Sequence, residues 1–326
     1  MEVPCSDRIF VFGCTVISFF GRFKQINTSR FGMFFVRLFY NFLCLFFTGR
    51  REPVQQITDY TLATPKASIK IREYTPDASA KNSPAILFMH GGCFAVGDLN
   101  SHDSSLRALA NASQCKIFSV DYRRAPENKY PAAANDCYNA LLALEKNAQM
   151  LGIDSKRIAL MGDSAGAALA AVLARWCRDR KGPAIAFQVL LYPATDAAMQ
   201  TDSWSQFPGG PGLDRTMLAS AWERYAPLER DRLSPDVSPL RASEFAGLPC
   251  TLLVTADRDP LRDEGKAYAA ALNSAGVDVQ HSHYLNSVHG FFQHPDKAHG
   301  RQLIVEIAAY ARARFKQAKP NDAVQV

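Results

Sequence analysis

The chain has 326 residues, 48% of them apolar and 21% charged, with a net charge of +6 at neutral pH. Its length and apolar share suffice for one large α/β unit with a substantial core, and exclude a disordered or low-complexity chain. Its eight cysteines, Cys5, Cys14, Cys44, Cys93, Cys115, Cys137, Cys177 and Cys250, are scattered with no C-x-x-C pair, which excludes a small disulfide scaffold and fits reduced thiols in the cytoplasm.

The charge is unevenly placed. Residues 1–51 hold seven basic side chains (Arg8, Arg22, Lys24, Arg30, Arg37, Arg50, Arg51) and two acidic ones (Glu2, Asp7), a net of +5. The remaining body is nearly neutral and offers no basic patch, so nucleic acid is not an expected partner. The same 51 residues hold 12 of the 21 phenylalanines. An uncharged run at 9–21 would be about 20 Å long as a helix, too short for a ~30 Å hydrocarbon core. A second run, 31–47, would reach about 26 Å and is interrupted by Arg37 and Asn41. Arg30, Arg37, Asn41 and Thr48 share one narrow helical face, and Phe, Leu, Val, Met and Tyr occupy the others. Such a helix suits peripheral contact with a membrane, its arginines among the headgroups. Alternatively it suits a cap that closes its apolar face over a pocket. Glu2 and Asp7 argue against a cleaved signal peptide.

Short alternating stretches at 57–74 suggest edge strands. The run 85–89 is apolar throughout, which predicts a buried strand ending in His90-Gly91-Gly92-Cys93-Phe94. A helix at 104–112 leads to a second buried strand, 116–121, and another helix opens after Tyr130-Pro131. The series continues with strands at 157–161, 187–192, 251–255 and 277–284, and a closing helix at 304–315. Strands alternating with helices predict an α/β fold, with a mostly parallel sheet covered on both faces. Between 196 and 240 the alternation lapses. That stretch carries Trp204, Phe207, Trp222 and Tyr225 and reads as an insertion with helices of its own, a lid or pocket wall whose aromatics serve mainly as core.

The chemistry centres on Gly162-Asp163-Ser164-Ala165-Gly166, between the strand 157–161 and a small-residue helix at 165–175. Strand, sharp turn with a central serine, then helix is the context of a nucleophile elbow. A serine nucleophile needs a base, an orienting carboxylate and oxyanion donors. Downstream, Asp257, Asp259 and Asp263 follow one strand, and His289 follows the next, in the order Ser, Asp, His that this architecture uses.

Five blocks together carry a resemblance: His90-Gly91-Gly92, Asp121-Tyr122-Arg123 through Ala125-Pro126-Glu127, Gly162-Asp163-Ser164-Ala165-Gly166, Asp259-Pro260-Leu261-Arg262-Asp263-Glu264, and His289-Gly290-Phe291. The chain resembles the hormone-sensitive-lipase-like esterases of the α/β-hydrolase fold from about residue 85 to 315. That resemblance implies a metal- and cofactor-free serine hydrolase acting on short- to medium-chain acyl esters of small molecules. By it Ser164 is the nucleophile, His289 the base and acid, and Asp259 the orienting carboxylate. The oxyanion donors would be the backbone N–H groups of Gly92, Cys93 and Ala165. Cys93 stands where the family usually has a third glycine. Residues 52–196 and 241–326 are then the catalytic domain, 197–240 a cap insertion, and 1–51 a cap or membrane-surface segment.

The other polar residues read more plainly. Asp257 and Asp263 are expected as solvated loop carboxylates. His281 and His283, two apart on a strand, lack a third ligand for a metal. His102, His294 and His299 are expected at the surface, and His90 shapes the loop it begins. Two other functions stay compatible with the scaffold: a ligand-binding protein, as in the plant gibberellin receptors, and a lipid or amide hydrolase at a membrane.

Overall fold

The computed structural model describes residues 30–64, 67–77, 81–209 and 212–317. The apolar run at 9–21 lies outside them. Eight strands form one sheet: β1 (Gln56–Thr64), β2 (Ala67–Thr75), β3 (Ser83–Met89), β4 (Lys116–Asp121), β5 (Ile153–Asp163), β6 (Gln188–Leu191), β7 (Thr251–Arg258) and β8 (Val279–Val288). Their spatial order is β1-β2-β4-β3-β5-β6-β7-β8. β1 and β2 pair antiparallel, β2 joins β4 antiparallel, and every later pair is parallel.

The central strands read as unbroken apolar runs because both faces are covered. In β3, Ala85, Leu87 and Met89 join one core cluster while Ile86 and Phe88 join the other. β5 divides likewise, Ile158 and Leu160 against Ala159 and Met161. On the first face lie α3 (Ala132–Lys146), α4 (Ala165–Asp179) and α8 (Arg262–Ser274). On the second lie α2 (Asp103–Ser113) and the closing helix α9 (Ala298–Gln317). α8 has no counterpart among the elements expected from the sequence. Its first turn holds Asp263 and Glu264, which read as loop carboxylates but favour a helix N-terminus.

The 196–240 stretch forms α5 (Asp202–Gln206), α6 (Arg215–Tyr225) and α7 (Glu229–Arg232). Trp204, Trp222 and Tyr225 are fully buried there. Phe94 stacks on Tyr225 at 4.0 Å, which fixes the insertion to the loop after β3.

The N-terminal helix α1 (Arg30–Phe47) differs from expectation in its orientation. Arg37 faces the protein: it makes two hydrogen bonds to the Glu127 carboxylate, at 2.9 and 2.7 Å, and donates to the Ala95 and Ala125 carbonyls. Asn41 donates to Asp98 at 2.6 Å. Met33, Tyr40 and Cys44 pack on Ala95 and Val96. The opposite side exposes Phe31, Phe34, Phe35, Leu38, Phe42, Leu45 and Phe46, with Phe31 at 74% and Phe46 at 62%. The polar stripe therefore points inward and the phenylalanine face outward. Neither expected arrangement had that orientation, because both assumed that Arg37 and Asn41 would seek water or headgroups, whereas the loop after β3 supplies their partners.

Candidate active site

β5 ends in the sharp turn to α4. Ser164 has φ 55° and ψ −118° there, a strained backbone of the kind a nucleophile elbow holds. The turn tolerates no bulk on either side: a Cβ at Gly162 would collide with the Gly166 carbonyl, and one at Gly166 with the Met89 carbonyl. Ala165, Ala167 and Ala168 are buried and let α4 close on the sheet.

The β8 end brings His289 to this turn. Its Nε2 lies 2.9 Å from Ser164 Oγ, and its Nδ1 lies 2.7 Å from Asp259 Oδ2. Asp259 is fully buried. Its other oxygen accepts the Leu261 N–H at 2.9 Å as the chain turns into α8, so both carboxylate oxygens are held. Asp257 instead accepts the Asn286 N–H at 3.2 Å and lies 3.8 Å from His283. Asp263 is not a solvated loop residue: it pairs with Arg262 at 2.7 Å and accepts the Ser203 N–H at 2.9 Å.

The loop after β3 passes over the serine. Gly92 has φ +117°, and a Cβ there would strike the Val96 carbonyl. Cys93 and Phe94 follow at φ 55° and 57°, a region that L residues other than glycine rarely adopt. Among the described residues, the N–H groups of Gly92, Cys93 and Ala165 make no hydrogen bond. Burial pushes the Cys93 thiol up to about 11, so its sulfur is neutral and a poor nucleophile.

Asp163, between Gly162 and Ser164, has a role in the site that the motif itself does not specify. It is buried, accepts the Gly91 N–H at 2.7 Å, and lies 3.1 Å from His102 Nε2. Burial raises its pKa, but His102 and the Gly91 N–H outweigh that and hold it below the ordinary carboxylate value. It thereby ties the loop after β3 to the elbow. His102, expected at the surface, is 1% exposed. Its ring meets Ser101 Oγ at 2.9 Å and Gln293 Nε2 at 3.1 Å. His294 and His299 are half-buried rather than exposed, and His299 Nδ1 lies 2.7 Å from Ser287 Oγ. His90 is buried, its ring stacked 4.3 Å from Tyr122. The advance signal for Asp163 was its place inside the elbow motif, and His102 had none.

His281 Nε2 and His283 Nδ1 share Thr255 Oγ1, at 2.9 and 3.0 Å. No group of three or more His, Cys, Asp or Glu among the described residues is arranged to hold a metal ion.

A cavity open to solvent reaches Ser164 and His289. Its walls come from three places: Met33, Val36 and Tyr40 of α1, the loop 92–96, and the 212–224 stretch leading through α6.

Comparison with known proteins agrees with the fold. The alpha/beta hydrolase fold family matches residues 86–293. Carboxylesterase NlhH of Mycobacterium tuberculosis is 38% identical over 250 residues, 76% of each chain. An arylesterase of Saccharolobus solfataricus is 35% identical over 267 residues, 82% of this chain and 86% of that one. Among solved structures, an ester-hydrolase from the metagenome of Lake Arreo superposes with TM-score 0.86 at 34% identity, over 97% of this chain and all of that one. An esterase of Pyrobaculum calidifontis gives TM-score 0.81 at 36% identity, over 86% and 92% of the two chains. The chain belongs to a carboxylesterase/lipase family of the α/β-hydrolase fold.

Proposed function

We infer that the protein is a serine carboxylic-ester hydrolase acting on small-molecule esters, with Ser164, His289 and Asp259 as its triad. The observation that carries this assignment is the unbroken line Asp259–His289–Ser164, with contacts of 2.7 and 2.9 Å, beside three unbonded amides. His289 takes the Ser164 proton as Oγ attacks the ester carbonyl, while Asp259 keeps Nδ1 protonated and the ring aligned. The oxyanion forms against the N–H groups of Gly92, Cys93 and Ala165. His289 then gives the proton to the departing alkoxide. Water repeats the attack on the acyl-enzyme and releases the acid. Acyl chains of short to medium length suit a cavity walled by α1 and α6.

The test is turnover of a p-nitrophenyl ester series from acetate to palmitate, with Ser164→Ala as control. Loss of the nucleophile costs on the order of 10⁶ in kcat. Unchanged turnover by folded Ser164→Ala would reject the assignment.

Residues 52–196 and 241–326 are the catalytic unit, with 1–51 and 197–240 as its cap. The same cap contacts a lipid surface. No helix among the described residues is long and apolar enough to cross a membrane, but α1 presents seven large apolar side chains at 50% exposure or more, at spacing 31, 34, 35, 38, 42, 45 and 46. Such a face buries in the acyl boundary of a bilayer, and the net charge of +5 over residues 1–51 favours anionic lipid. The full chain therefore floats with anionic vesicles, and Phe35→Ser/Phe42→Ser weakens that flotation. Flotation unaltered by the double substitution, or none at all, would remove the lipid contact while leaving the hydrolase assignment intact.

A further inference from the structure

The cavity is lined mainly by apolar side chains, yet one of its walls carries a cation without a partner among the described residues. Ser220 and Arg224 lie four residues apart on α6, hence on one face, and both line the cavity. Arg224 is the only Lys or Arg among the described lining residues. Other arginines near the site are engaged: Arg37 with Glu127, and Arg124 with Asp121 and the Gly97 carbonyl. Among the described residues Arg224 makes no ion pair or hydrogen bond, and its Nε is fully buried without a partner.

The acids nearby do not answer it. Asp163, which also lines the cavity, is committed to Gly91 and His102. Asp214 caps α6 through the Met217 N–H at 2.7 Å. Glu223 adjoins Arg224 in sequence and is exposed. Arg224 and Cys93 line the same cavity as Ser164, so the guanidinium lies near the loop beside the serine. A buried donor without an acceptor costs free energy, and such a group in a native structure calls for an explanation. A carboxylate supplies both the missing acceptors and the counter-charge, and the planar guanidinium matches it in two-point geometry. An acyl chain alone would displace water from Arg224 and leave it unpaired.

We propose that this cavity takes esters carrying a free carboxylate, such as half-esters of dicarboxylic acids, and that Arg224 with Ser220 holds the carboxylate while Ser164 meets the ester. The proposal rests on the ester-hydrolase reading and adds the substrate class. Arg224 acts here as a specificity determinant.

The experiment compares, on the full chain, kcat/KM for monoethyl succinate, glutarate and adipate with that for the isosteric ethyl pentanoate, hexanoate and heptanoate. In the wild type the ratio of half-ester to neutral ester exceeds one for at least one chain length, and falls as NaCl is raised. Arg224→Met lowers that ratio by about 10- to 100-fold, as loss of a charge-assisted hydrogen bond does, mainly through KM. Arg224→Lys restores part of it. Ser220→Ala lowers it by a smaller factor and, with the salt series, keeps the test decisive should Arg224→Met misfold. A wild-type ratio below one at all three lengths would overturn the proposal. So would parallel losses on both ester classes in Arg224→Met, since a purely structural arginine behaves that way. Turnover of the neutral esters in either case leaves the hydrolase reading standing, whereas no turnover of any ester would fail that reading itself.

Discussion

At the residue scale, three carboxylates within seven positions had to be told apart. Only Asp259 reaches His289 Nδ1, at 2.7 Å, whereas Asp257 serves Asn286 and Asp263 serves Ser203 and Arg262. Asp259→Asn should therefore lower kcat by about 10⁴, as a carboxamide there stabilises the wrong imidazole tautomer. Asp257→Asn and Asp263→Asn should fall far short of that, and p-nitrophenyl butyrate kinetics on the three variants check it. Spacing alone does not separate adjacent loop carboxylates, and the sequence singled out Asp259 only through the resemblance of its block. The Leu261 N–H and the fold of α8 separate them. His102 was misplaced for the converse reason: a polar residue outside any apolar run reads as exposed, and its partners Asp163 and Gln293 come from distant parts of the chain.

At the element scale, the strands and most helices were legible because a sheet buried on both faces imposes continuous apolar runs. β4 coincides with its expected range, 116–121. α1 was legible as a helix, but not in its orientation. Its amphipathicity has two readings, and hydrophobic spacing alone cannot tell which face docks when the body offers Glu127 and Asp98 as partners. The Arg37–Glu127 pair, each side chain about a fifth exposed, is the main polar tie of α1. Arg37→Met leaves Glu127 and two carbonyls without their donor. It should raise the rate at which trypsin or hydrogen exchange attacks α1, while the urea midpoint of the whole chain moves little, since α1 opens as a local unit. A fall in the global midpoint as large as a core cavity produces would show instead that α1 unfolds with the sheet.

At the scale of the whole molecule, the loop after β3 ties the elbow, α1 and the insertion together, and His90 sits under it. Burial drives the His90 pKa down to about 3, well below the value of the unfolded chain. The unfolded state thus takes up a proton as pH drops through about 6.5 while the folded state does not, so stability is full above that pH and declines toward pH 3. The loss is up to about 1.4 kcal/mol per pH unit, or about 2 kcal/mol at pH 5. Burial lowers His281 and His283 in the same sense, and Asp163 adds to the loss at lower pH. Urea titrations at pH 7.5 and 5 on wild type and His90→Gln isolate the His90 share, which the variant should lack; equal slopes in both proteins would contradict it. The sequence by itself determined the fold class, the elbow, and the strand ends at which Ser164, Asp259 and His289 stand. Those features depend on local patterns, on the alternation of buried runs and on short turns that only certain residues allow. Tertiary structure alone decided that Asp163 and His102 brace the loop, that α1 turns its phenylalanines outward, and that Arg224 lines the cavity without a partner among the described residues. Each of those outcomes turns on a partner far away in the chain, and pairing across such distances leaves no periodic trace in the sequence.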